Sequence, residues 1–379
     1  MQQPCQDSYC TTFGSLALMM DYHKRQSETS KWARMPVSTL RVLPLDKESM
    51  DAENLAFAES VSQTAIEDTA QNLGLAAETA DGLYPVRDTA YKSLIDRAKI
   101  NGTVLPKLAR EDLAHVLNLC LQKHPSEALV LIRDEKISAV LAGDEKDYSI
   151  LPIDALMHAL TEHLEERFPG YQFDGGYSDH AITTATWKLA GQRTALLEEY
   201  DAALIAHGKS HLAGKLMPGV RFITSDVGVS CASVSALLMG VSRPIRIGSI
   251  VSVEHRRQST VQEFEKSLDM LFAQFADTVG RIKGLLDEYL SYPVNAMIGV
   301  CKKLGLPKKA ALQAIDMFET ATGGDPASAH DIYMGLQEIL FILKTEGVPE
   351  NKLLSVEESI ARALTLNWED YDTAKAVAY

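Results

Sequence analysis

The stretch RPIRIGSIVSVEHRRQSTVQEFEKSLDMLFAQFADTVGRIKGLLDEYL (Arg243–Leu290) places a strand directly ahead of a long helix. In its first part Ile245, Ile247, Val251 and Val253 alternate with Arg246, Gly248, Ile250 and Ser252. An extended chain with that alternation has one apolar face and one face carrying arginine. In its second part Thr260 and Glu263 have capping-box spacing, which lets a hydroxyl and a carboxylate satisfy amides left open by a first helical turn. Val261, Phe264, Leu268, Leu271, Phe275, Val279, Ile282, Leu286 and Tyr289 then recur in steps of three or four, ahead of the helix stop expected at Pro293. A stripe of that length packs across a sheet or against another copy of itself.

Upstream, ALVLIR (128–133) and ISAVLAG (137–143) flank Asp134-Glu135-Lys136 and read as a β-hairpin. Leu156, Leu160, Leu164 and Phe168 mark a helix over 153–168. YQFDGG (171–176), DHAITTATWKLAG (179–191) and VRFITSD (220–226) have the composition of strands, with a helix over 195–207 between them. This order predicts an α+β fold: an antiparallel or mixed central sheet, a long packing helix, and helical regions at both ends. No glycine-rich phosphate loop joins a strand to a helix, which disfavours Rossmann and P-loop folds. The expected organisation is a mostly helical region over 1–125, an α+β core over 126–292 and a helical region over 293–379. Within the first, residues 1–45 read as irregular apart from a short helix (13–22), and 50–75 reads as helical. Within the last, Ser355 with Glu358 reads as the opening of the final helix.

The 379 residues carry a net charge of −14, with 46% hydrophobic and 23% charged residues, as in ordinary globular proteins. No apolar run approaches the ~20 residues that span a bilayer. The N-terminal FGSLALMM lacks the basic lead-in and cleavage site of a signal peptide. Five scattered cysteines suit reduced thiols, so the expectation is a cytoplasmic protein without membrane partners or cofactors.

Charge is unevenly placed. Residues 201–309 hold 14 Lys/Arg against 9 Asp/Glu, a balance of +5, which leaves 23 against 42, or −19, elsewhere. Clustered cations in a chain that otherwise repels polyanions point to a phosphate-bearing partner. Arg243, Arg246, Arg256 and Arg257 form the first rank of candidate contacts, and Lys302, Lys303, Lys308 and Lys309 the second. Trp187, Tyr171, Phe173 and Tyr177 are candidate stacking surfaces for bases, against a simpler reading as core aromatics. The competing reading of the cations is a solvated face paired with nearby acids.

Other constellations weigh less. His207 and His211 have metal-ligand spacing but no third ligand, and Cys5 and Cys10 have no partner pair, so no metal site is expected. The loop DGGYSDH (Asp174–His180) gathers groups suited to acid–base work, but a Gly-Gly turn between strands has the same composition. Ser230 and Cys231 lack a G-x-S-x-G elbow, and TSDVGVSCAS (224–233) around them suits small-residue packing. No catalytic residue is assigned, and a non-enzymatic role is expected.

The segments ALVLIRDEKISAVLAGDEKDYSILP, PGVRFITSDVGVSCAS and YPVNAMIGVCKKLGLPKKAALQAIDMFE…SAHDIYMGLQEILFILK resemble, in order more than in strict motif, an uncharacterised family of phage- and plasmid-like proteins on mobile genetic elements of Firmicutes. The resemblance covers roughly residues 90–379. It implies a mobile-element setting. The order of hairpin, helix, strands and long helix is also distantly similar to single-strand annealing proteins, which assemble around a basic groove. The chain is therefore expected to bind single-stranded DNA as a homo-oligomer, with annealing in DNA recombination as the implied step. The alternative is a structural protein that self-assembles through its acidic and basic surfaces without nucleic acid.

Overall fold

The computed structural model describes residues 2–45, 56–144, 146–240 and 244–379. The strands are β1 (Cys10–Phe13), β2 (Lys31–Pro36), β3 (Arg41–Pro44), β4 (Leu75–Thr79), β5 (Gly82–Pro85), β6 (Glu127–Arg133), β7 (Lys136–Ala142), β8 (Gln172–Asp179), β9 (Thr183–Lys188), β10 (Met217–Thr224), β11 (Ala232–Met239), β12 (Ile245–Val253), and the short β13 (Tyr289–Leu290) and β14 (Ala327–Ser328). The helices are α1 (Leu16–Thr29), α2 (Gln63–Gln71), α3 (Asp88–Ala98), α4 (Arg110–Leu121), α5 (Ile153–Arg167), α6 (Arg193–Ala206), α7 (Val261–Gly284), α8 (Pro293–Leu304), α9 (Lys308–Thr322), α10 (Ala329–Thr345) and α11 (Glu350–Ala361).

The fold is α+β. Its main sheet has six strands in the order β1-β8-β9-β10-β11-β12, every neighbouring pair antiparallel. Ile245, Ile247, Val251 and Val253 face the core, as their alternation predicts. They are joined there by Trp187, Val220, Phe222 and Val234 from the neighbouring strands. α7 lies across this face, with Phe264 edge-on to Phe222 at 5.9 Å between ring centroids. Each fully buried aromatic contributes ~1.5–3 kcal/mol through removal of apolar surface from water. Two smaller antiparallel sheets, β2-β6-β7 and β3-β4-β5, form a second lobe with α3 and α4 around Val37, Leu94, Leu117, Val130 and Ile137. Among the described residues no helix is long and apolar enough to cross a membrane.

Several local expectations change. The region expected to be mostly helical over 1–125 contributes β1 to β5 as well as helices. The hairpin β6-β7 joins β2 in the small lobe instead of the main sheet, because β2 pairs with β6 from Lys31↔Ile132 to Pro36↔Glu127. Of the helix expected over 50–75, only Gln63–Gln71 is helical, and 50–55 lie outside the described residues. Strand β11, ASVSALLM, begins inside the stretch whose composition suggests small-residue packing; it pairs along both edges, with β10 and with β12. The capping box at Thr260–Glu263 is present, but α7 stops at Gly284, and Pro293 begins α8 instead of ending the stripe. The second capping box is Ser328–Asp331 at α10; α11 starts after Pro349, which leaves Ser355 inside the helix.

Candidate nucleic-acid interface

Arg256 and Arg257 are exposed and stand on a tight turn between β12 and α7. Arg257 (φ 58°) and Gln258 (φ 63°) both occupy the left-handed region, at ~1–2 kcal/mol per non-glycine residue. The turn is held by Ser259 N donating to the Arg256 carbonyl (3.0 Å) and by Arg257 N donating to the Lys146 carbonyl (2.8 Å). The second bond ties it to the small lobe. Beside it opens a cleft of about 510 Å³, lined by Arg34, Arg97, Glu127, Asp144, Lys146, Asp147 and Gln258 among others. Arg34 anchors one wall by donating to the Gly143 carbonyl. Arg97 has a buried Nε without a hydrogen-bond partner. Cations and carboxylates therefore share one concave surface of ligand size.

The remaining sequence candidates disperse. Arg246 is 4% exposed and lies beneath α11, where it sits in the field of Glu357 and Glu358; the expected arginine-bearing open groove is a covered face. Arg243 lies outside the described residues. Lys302 donates to the Ala378 carbonyl (2.7 Å), and Lys308 to that of Tyr379 (3.1 Å). Lys309 pairs with Glu346, and Lys303 is exposed. Three of the second-rank lysines thus hold this chain's own C-terminal helices and tail. Trp187 is fully buried with Phe173 edge-on at 5.7 Å, which removes it as a base-stacking surface. Arg34, Arg97 and Lys146 escaped the sequence because no local cluster marks them.

A buried polar layer joins the N-terminal segment to both lobes. Lys136, fully buried, donates to Asp7 (3.0 Å) and Asp68 (2.5 Å). Arg87, equally buried, reaches Asp7 (3.4 Å) and the carbonyls of Gln6 (3.3 Å) and Pro4 (3.4 Å). Burial alone would raise the Asp68 carboxyl, but hydrogen bonds from Lys136 and the Asp7 amide hold it below its usual range. His180 contacts the Gln6 carbonyl through Nε2 (2.9 Å), and burial next to Arg87 pushes its pKa down to about 3. Between the lobes, Arg133 bridges to Asp226 (2.5 Å) and to Ser30 Oγ (2.8 Å), while Tyr148 OH donates to the Asp226 carbonyl (2.9 Å). The cations of this layer meet carboxylates or carbonyls, an arrangement that fixes geometry.

The other constellations do structural work. Gly175 and Gly176 lie inside β8 and not in a turn; a Cβ on Gly176 would meet the Met19 sulfur at 2.3 Å. The turn is at Asp179, whose carboxylate accepts from Tyr177 OH (2.8 Å) and the amides of Ala181 (2.7 Å) and Ile182 (2.8 Å). His207 contacts the Ala203 carbonyl (2.9 Å) and Asp287 (3.1 Å), while His211 is exposed. Burial and nearby Glu254 raise the Cys231 thiol, keeping it protonated. Among the described residues no group of three or more His, Cys, Asp or Glu is placed to hold a metal.

No family model, curated protein or solved structure matches the chain.

Proposed function

We propose that this protein binds single-stranded nucleic acid in the cleft beside Arg256 and Arg257. The observation that carries the reading is the exposed arginine pair on a turn whose next residue, Gln258, lines a cleft together with Arg34, Arg97 and Lys146. Guanidinium and ammonium groups there meet phosphates. Glu127, Asp144 and Asp147 in the same cleft accept from amino and imino groups of bases, which are fully presented only when a strand is unpaired. The order of hairpin, helix, strands and long helix extends the proposal to annealing by a homo-oligomer encoded on a mobile element.

The test is anisotropy of a fluorescein-labelled oligothymidylate, titrated at several salt concentrations, for wild type and for Arg256→Glu/Arg257→Glu. Wild-type affinity falls steeply with salt. The double substitution costs at least about tenfold at low salt and makes the salt slope shallower by ~0.7 for each phosphate that is no longer neutralised. Absence of wild-type binding at low salt overturns the proposal. In that case, an oligomer in mass photometry that dissociates on the same substitution identifies the cations as a self-assembly surface.

A further inference from the structure

Between α4 and β6 the chain runs His124-Pro125-Ser126, and Ser126 lines the cleft with Arg34, Arg97 and Lys146. Both ends of this tripeptide are pinned. His124 N donates to the Leu121 carbonyl (3.0 Å), and the Ser126 carbonyl accepts from Val37 N (2.9 Å). Pro125 between them has a fixed φ. Within this frame the His124 ring turns back on Ser126: the amide and the hydroxyl of Ser126 both meet His124 Nδ1, at 3.3 and 2.8 Å. An amide N–H can only donate, so Nδ1 is the unprotonated nitrogen and Nε2 carries the hydrogen. The hydroxyl therefore also donates to Nδ1, at the separation found between a nucleophile and its general base. A simple turn would need only the amide bond. Partial burial, with Lys99 and Arg97 nearby, lowers the His124 pKa from its ordinary 6.5 and keeps the ring neutral at neutral pH.

We infer that Ser126 and His124 form a nucleophile and base that act on a phosphodiester of the strand held in the cleft. The inference rests on the nucleic-acid reading above and adds a reaction to it. Ser126 Oγ attacks phosphorus, and its proton passes to His124 Nδ1. The bond from phosphorus to one sugar oxygen breaks, and that oxygen takes the proton from Nδ1. The products are a strand joined to Ser126 through a phosphodiester and a second strand end with a free hydroxyl. One P–O bond forms for each one broken, so the step consumes no oxidant and no energy-rich co-reactant. Attack of a sugar hydroxyl on the seryl phosphodiester, with His124 again the base, restores the strand. The phosphoryl oxygens carry the negative charge during transfer, and cations preorganised beside them stabilise it. Arg97 is placed for this: its charge acts on His124, so it lies on the nucleophile's side of the cleft, and its buried Nε has no hydrogen-bond partner. Arg34 and Lys146 line the same cleft.

The experiment uses two probes. The first is bis(4-nitrophenyl) phosphate, a diester with a good leaving group that needs no strand binding. Wild type releases 4-nitrophenolate in a burst matching the amount of protein, and peptide mass spectrometry finds the aryl phosphate on Ser126. The burst slows as pH falls below 6.5, where Nδ1 takes up a proton. Ser126→Ala gives no burst. His124→Asn keeps an acceptor oxygen for the Ser126 amide but removes the base, and it slows the burst at least about 100-fold without moving the unfolding midpoint. The second probe is the labelled oligothymidylate, resolved on a denaturing gel. Wild type forms a covalent adduct, which accumulates because the short fragment released diffuses away; Ser126→Ala and His124→Asn bind the oligonucleotide and form none. A bound oligonucleotide that leaves Ser126 unmodified overturns the inference, as does a burst that keeps its wild-type rate in His124→Asn. Reaction with the small diester in a protein that binds no oligonucleotide refutes the cleft reading and keeps the Ser126–His124 pair.

Discussion

Two residues show the opposite ways in which this chain buries an ionisable group. Lys136 is fully enclosed, and two carboxylates meet it. His23 is enclosed between Phe13 and Tyr22, and burial pushes its pKa down to about 4 from 6.5. The unfolded imidazole takes a proton near pH 6.5, the folded one only near 4. Between those values the unfolded chain binds the extra proton, so stability falls as pH falls through this window. Asp68 acts lower: its stabilising contribution is full above the unfolded carboxylate value and is lost as pH falls through its depressed folded pKa. His23→Phe, which keeps a ring between two aromatic neighbours, should flatten the slope between about pH 4 and 6.5 by up to about 3 kcal/mol, checked by urea unfolding across that range. At this scale the sequence revealed part of the site. Arg256 and Arg257 were visible because they are adjacent, whereas Arg34, Arg97 and Lys146 converge from distant segments that share no local signal.

At the scale of elements, the periodicity of α7 and its capping box were legible because both are local, whereas Ser355 with Glu358 has the same spacing inside a helix that opens at Glu350. Thr260 Oγ1 accepts from the Glu263 amide (3.3 Å), and the Glu263 carboxylate accepts from Thr260 N (3.3 Å). Thr260→Ala should lower stability by about 1 kcal/mol in denaturant unfolding, and amide exchange should rise first in the opening turn of α7. An unchanged midpoint would mean that packing of Phe264 and Leu268 alone holds that end. Signals that depend on partners failed. β11 carries small residues with weak strand preference, and it is a strand because β10 and β12 pair with both its edges. The hairpin β6-β7 was legible from its turn, where Asp134 and Glu135 take positive φ, but not its sheet, which β2 selects through backbone hydrogen bonds.

At the scale of the molecule, a polar layer holds the lobes together, and Arg133–Asp226 is its most direct bridge. Breaking a nearly buried ion pair strands the remaining charge, at ~3–5 kcal/mol. Arg133→Ala should therefore split or broaden a single calorimetric transition, with the small lobe melting first. A sharp, merely shifted transition would show that apolar contacts couple the lobes. The same long-range packing decided the fate of the basic segment. The amino-acid sequence by itself determined the strand-then-helix core, the face of β12 that turns inward, the capping of α7 and the uneven charge, since each depends on neighbours within a turn or a pleat. Only the tertiary structure decided which cations meet solvent. Arg246 and Arg256 belong to one basic run, yet one is sealed beneath α11 and the other is exposed on the turn beside a cleft. A side chain's charge is set by its chemistry, but its exposure is set by whatever distant segment packs over it.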